Sequence, residues 1–68
     1  AEAELRRALK MAPDDPVILE HLGDVLLAQG KSGEAATFFE KALAKGHEKP
    51  EEVSAKLQGI RKAGPAGK

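Results

Sequence analysis

The stretch HLGDVLLAQG, residues 21–30, places Leu22, Val25, Leu26 and Leu27 at the spacing of an amphipathic helix, yet puts Gly23 in its interior. A glycine there costs about 1 kcal/mol relative to alanine. Such a cost is explained if a second helix approaches at that point and only a missing side chain lets it in.

Outward from this stretch, periodicity and punctuation divide the chain into four helices. The helix holding Gly23 is predicted to run from Pro16 to about Gln29, with Asp15 as N-cap, Pro16 in the first position and Gly30 as a left-handed stop. Upstream, Leu5, Ala8 and Leu9 mark a helix from about Glu2 to Met11, halted by Pro13. Downstream, the short link Gly30-Lys31-Ser32 forces the next helix to fold back antiparallel. Ser32 is its expected N-cap, and it carries Ala35, Phe38, Phe39, Ala42 and Leu43 as far as Lys45, with Gly46 at its end. A fourth helix starts at Pro50 and follows Val53, Leu57 and Ile60 to Ala63. Residues 64–68 offer no core-forming side chain and are expected to be a flexible tail. No segment alternates with period two, so no strand is predicted.

The chain also repeats itself. At an offset of 34 residues, Leu5 falls on Phe39, Ala8 on Ala42, Leu9 on Leu43, Pro16 on Pro50, Leu19 on Val53, Leu26 on Ile60 and Gly30 on Gly64. Small residues meet small ones, and large apolar residues meet large apolar ones. This period, with Leu19, Leu22-Gly23, Leu26, Ala35, Phe39 and Ala42 in order, resembles the tetratricopeptide repeat family. The resemblance implies an all-α, right-handed array of antiparallel helix hairpins. Residues 1–12 would be the second helix of a preceding repeat, 16–49 one complete repeat and 50–63 a capping helix. In such a hairpin Gly23 is expected to pack on the third helix near Ala35.

Departures from the pattern bear on the ends. Lys56 and Leu57 stand where the family places Leu-Gly, which suggests a capping helix with a wetter outer face. A full repeat followed by a helix such as PEEVSAKL and a short tail resembles the C-terminal end of bacterial tetratricopeptide proteins. The chain begins in mid-pattern at Ala1, as a piece of something longer is expected to do.

Composition narrows the function. The chain has 68 residues, with eleven basic residues against eleven acidic ones and no cysteine. One small unit is the most it can form, burying only about 60% of its unfolded surface. Balanced charge argues against nucleic acid as a partner. The longest apolar run, Val25 to Ala28, is too short to span a membrane. His21 and His47 lack the spacing of metal ligands and read as exposed or partly packed. Ser32 and Ser54 have no accompanying base, Asp14-Asp15 reads as a turn and cap, and no glycine-rich phosphate loop exists. No enzyme activity and no cofactor are expected.

What remains is a binding face. Family resemblance implies that the first helix of each repeat lines a concave surface for a protein or peptide. On this chain that surface is Val17, Glu20, His21, Asp24, Leu27 and Ala28, joined by Ser54, Gln58 and Arg61 of the capping helix. Glu20 and Asp24 beside Leu27 favour a basic or apolar partner. Leu5, Ala8 and Leu9 lack the partner helix of their own hairpin, so the N-terminal end is expected to expose an apolar stripe. That stripe offers a rival role, in which the unit ends an array or forms a homo-oligomer through its open end.

Overall fold

The computed structural model describes residues 2–63. Four α-helices follow one another: α1 (Glu2–Met11), α2 (Pro16–Ala28), α3 (Ser32–Ala44) and α4 (Pro50–Ala63). No strand occurs among the described residues. The order and number match the sequence expectation, an all-α helical repeat. The expected tail, residues 64–68, lies outside the described residues.

Local chemistry explains the boundaries. Asp15 caps α2, its Oδ1 accepting from the backbone N–H of Val17 at 2.9 Å and of Ile18 at 3.4 Å. Pro16 follows at the first position, where no N–H is needed. Both α2 and α3 end in a paired set of hydrogen bonds closed by a glycine at positive φ. In α2, Gly30 (φ 83°) donates to Leu27 O and Lys31 donates to Leu26 O. In α3, Gly46 (φ 86°) donates to Leu43 O and His47 donates to Ala42 O. Each is a Schellman motif, which satisfies terminal carbonyls and turns the chain sharply.

One expected cap differs. Ser32 is the first residue of α3 rather than its N-cap; Lys31 occupies the cap with no side-chain hydrogen bond. The Schellman motif of α2 already sets the direction of Lys31, leaving no room in the link for a separate capping residue.

α2 packs most extensively on α3, while α4 lies on α3 and α1 lies on α2. The Cα atoms span 34 × 24 × 13 Å, the thickness of two helix layers about 10 Å apart. Between the layers sit Leu19, Leu26, Ala35, Phe39, Ala42, Val53, Leu57 and Ile60, all buried. Leu22 is also fully buried. Every large apolar side chain of α4 from Val53 to Ile60 points inward, whereas α1 contributes no fully buried residue.

Gly23 meets α3, as expected, but one turn further along than Ala35. A Cβ built on it would stand 2.5 Å from Phe39 Cε1 and 2.8 Å from Cδ1. The close approach is therefore ring against backbone, with the Phe39 ring filling the space a side chain would take. Gly59 in α4 is the opposite case, with nothing within 4 Å of its missing Cβ. Gly23→Ala is expected to lose about 1–3 kcal/mol through overpacking, despite its better helix propensity. Gly59→Ala should instead gain up to about 1 kcal/mol. Urea denaturation of the two variants measures this difference in sign.

Candidate functional site

The residues of the expected concave face divide into two groups. Val17, His21, Leu27 and Ala28 on α2 are exposed, as are Gln58 and Arg61 on α4. Val17 and Leu27 are two of the three exposed large hydrophobic residues among those described, at 42% and 38% exposure. Ser54 is half-buried. Arg61 pairs with Glu40 of α3 at 2.8 Å, both side chains well exposed, so this contact contributes at most a few tenths of a kcal/mol.

Glu20 and Asp24 behave differently. They lie one helical turn apart on α2, so both carboxylates point the same way. Glu20 is buried, with only 9% exposure, and Asp24 is half-buried. Lys56 reaches across from α4 and places its Nζ 2.7 Å from Glu20 Oε2, with Asp24 Oδ1 and Oδ2 at 3.0 and 3.1 Å. The same ammonium lies 5.8 Å from the centre of the Phe39 ring, within reach of a cation–π contact. The acidic pair that the sequence suggested for a partner is thus half neutralised by the chain itself, one ammonium against two carboxylates.

The remaining oxygen of Glu20, Oε1, meets His47 Nε2 at 2.7 Å. His47 is buried in the α3–α4 link, not exposed or partly packed as the sequence suggested. Its Nδ1 accepts the backbone N–H of Lys49 at 2.9 Å. A backbone N–H only donates, so Nδ1 carries no proton and Nε2–H donates to Glu20. Sequence reasoning missed both His47 and Lys56 as members of this network. The available signal was an unexpected lysine at a position the repeat pattern fills with leucine.

The electrostatics follow from these contacts. Burial pushes the Glu20 carboxyl up, but hydrogen bonds from Lys56 and His47 outweigh it and hold the group below its ordinary 4.5. Burial likewise pulls the Lys56 ammonium down, and the hydrogen bonds to Glu20 and Asp24 carry it above its ordinary 10.5. Glu2 is also lowered, by hydrogen bonds from Gln29 at 2.8 Å and Arg6 at 2.9 Å. The Gln29 contact ties the start of α1 to the end of α2.

At the N-terminal end, Leu5, Ala8 and Leu9 are half-buried. Leu9 packs on the core and, with Arg6, Lys10 and Pro13, lines an open groove whose walls are mostly apolar stems. Met11 nearby is 86% exposed. Among the described residues no helix is long and apolar enough to cross a membrane.

The clasp of Glu20, Lys56 and His47 makes stability depend on pH in a defined way. A carboxyl lowered by folding stabilises the fold above its unfolded pKa, and that contribution is lost as pH falls through the folded value. For Glu20 the loss therefore begins below about pH 4.5. A raised lysine stabilises below its unfolded pKa and is lost as pH rises, so for Lys56 the loss lies above about 10.5. Lys56→Met should lower stability at pH 7 by about 1–2 kcal/mol, leaving Glu20 with one donor fewer. The same substitution should abolish the alkaline loss. Thermal melts of both proteins between pH 3 and 11 test this.

A family model for the tetratricopeptide repeat matches residues 1–59. No curated protein and no solved structure matches the chain. Repeats of this family generally mediate protein–protein interactions and are generally non-catalytic. The matched region takes in the tight Gly23–Phe39 contact, both Schellman turns and α4 as far as Gly59, and the chain belongs to the tetratricopeptide repeat family.

Proposed function

We propose that the chain is a scaffold repeat that holds a peptide or partner protein along α2 and α4, within a longer array. Residues 16–49 are one complete repeat, 1–12 the second helix of a preceding one and 50–63 a capping helix. The observation that carries this reading is the exposure of Val17 and Leu27 on α2, whose remaining large apolar residues are buried or partly buried. His21 and Ala28 extend that surface, with Gln58 and Arg61 contributed by α4. Because Lys56 already engages Glu20 and Asp24, an apolar partner suits this face better than a basic one. The carboxylates and His47 make contacts within the fold, which supports a binding element and not an enzyme.

Peptides selected against the full chain from a displayed random library test this. The double variant Val17→Glu with Leu27→Glu should weaken the selected peptides by at least about tenfold, the equivalent of roughly 1.4 kcal/mol. Leu5→Glu should leave them unchanged. Binding that survives the double variant, with helicity intact by circular dichroism, overturns the reading.

A second reading, termination of the array or self-association, draws on the unequal ends. The outer surface of α4 exposes Glu51, Glu52, Ala55, Gln58, Gly59, Arg61 and Lys62, none of them large and apolar. At the other end Leu5, Ala8 and Leu9 are only half-covered. Under this reading the mass by light scattering rises from monomer to dimer with concentration, and Leu5→Glu returns it to monomer. A constant monomer mass excludes homo-oligomerisation.

A further inference from the structure

We propose that His47 is a pH-sensitive pin, which holds the α3–α4 link closed only while its imidazole is neutral. The geometry assigns each ring nitrogen a fixed role. Nε2–H donates to Glu20 Oε1 at 2.7 Å, and Nδ1 accepts the N–H of Lys49 at 2.9 Å. The ring is buried, so water is not at hand to replace either partner. Lys49 in turn sets the start of α4, its carbonyl accepting from Glu52 N–H at 3.1 Å.

A second proton can enter only at Nδ1. It turns that acceptor into a donor facing another donor, and the Lys49 bond must break. The Glu20 side keeps its hydrogen bond and gains a charge pair. Protonation therefore leaves the ring anchored to α2 and frees the link beside it. The other charged groups around the ring sort by element. On α2, Glu20 touches it and Asp24 lies beyond, both held by Lys56 of α4. At the end of α3, Lys45 pairs with Asp14 at 3.1 Å. In the link, Glu48 and Lys49 have exposed side chains. Glu20, held below the usual carboxylate range by Lys56 and the ring itself, keeps its charge and its contact with Nε2. Acidification would thus loosen how α4, with Ser54, Gln58 and Arg61, is set against α2, whatever those residues bind.

Nuclear magnetic resonance of the full chain between pH 8 and 5 tests the pin. The ring nitrogen spectrum at pH 8 should show the proton on Nε2; a proton on Nδ1 overturns the proposal without any variant. On acidification the Lys49 amide should shift with the same midpoint as the His47 ring. Its hydrogen exchange should speed up about five- to tenfold once the intrinsic pH effect is removed, the worth of one net hydrogen bond. The His47→Gln variant offers one donor and one acceptor at every pH, and should abolish that transition. A Lys49 amide that ignores the His47 midpoint, or a transition that persists in folded His47→Gln, overturns it.

Discussion

The missing side chain at residue 23 lets α2 and α3 approach closely, and the rest of the architecture depends on that approach. With a Cβ there, the Phe39 ring would have to leave the position it holds against the α2 backbone. Phe39 is the largest fully buried side chain of the protein. Its burial contributes roughly 1.5–3 kcal/mol, a large part of what a domain this small can muster. The loss of helix propensity at Gly23, about 1 kcal/mol, is offset by this contact. Ala35 and Ala42, one turn before and about one after Phe39, keep the neighbouring approach narrow.

α4 is held by a second kind of force as well. Val53, Leu57 and Ile60 bury their side chains in the core that also holds Leu19 and Leu26 of α2, and Lys56 adds an ionic link to Glu20 and Asp24 of α2. Glu20 has its two oxygens on two different donors, Lys56 and the His47 ring, so the buried carboxylate is fully partnered. Removing one member leaves the others paying a desolvation penalty that the full set avoids. A hydrophobic residue at position 56, as the repeat pattern prefers, would give adhesion without direction. The ammonium, with acceptors at fixed distances on two carboxylates, fixes where α4 stands along α2.

The sequence carried the fold more fully than the site, for a physical reason. Helix order, the Asp15 cap, the glycines at positive φ and the repeat all rest on residues near one another in the chain, or on a strict period. Ser32 was misjudged because a capping serine and a first-turn serine look the same until the preceding turn is known. The burial of Glu20 was invisible for a stronger reason. Its partners Lys56 and His47 lie 36 and 27 residues away, and no local pattern reports whether a carboxylate on a helix face meets solvent or another helix. The departure at Lys56 was legible as an anomaly, but its meaning required the position of α4.

The two forces also explain why the ends of the protein differ. α4 can face solvent because its large apolar side chains are turned inward and its one half-buried cation is matched by carboxylates on α2. α1 has no such arrangement. Its contacts with the rest include the Gln29–Glu2 hydrogen bond, Arg6 5.9 Å from the centre of the Phe38 ring, and Leu9 against the core. Offset by 34 residues, its Leu5 and Ala8 correspond to Phe39 and Ala42, which are fully buried beneath α2. The same side-chain positions are closed in α3 and half-open in α1, so exposure at this end follows from what lies opposite each helix and not from a change in the helix itself. Local unfolding in such an array begins where the fewest apolar contacts must be broken. By that criterion the order of release is α1 before α4, with the α2–α3 hairpin around Gly23 and Phe39 last.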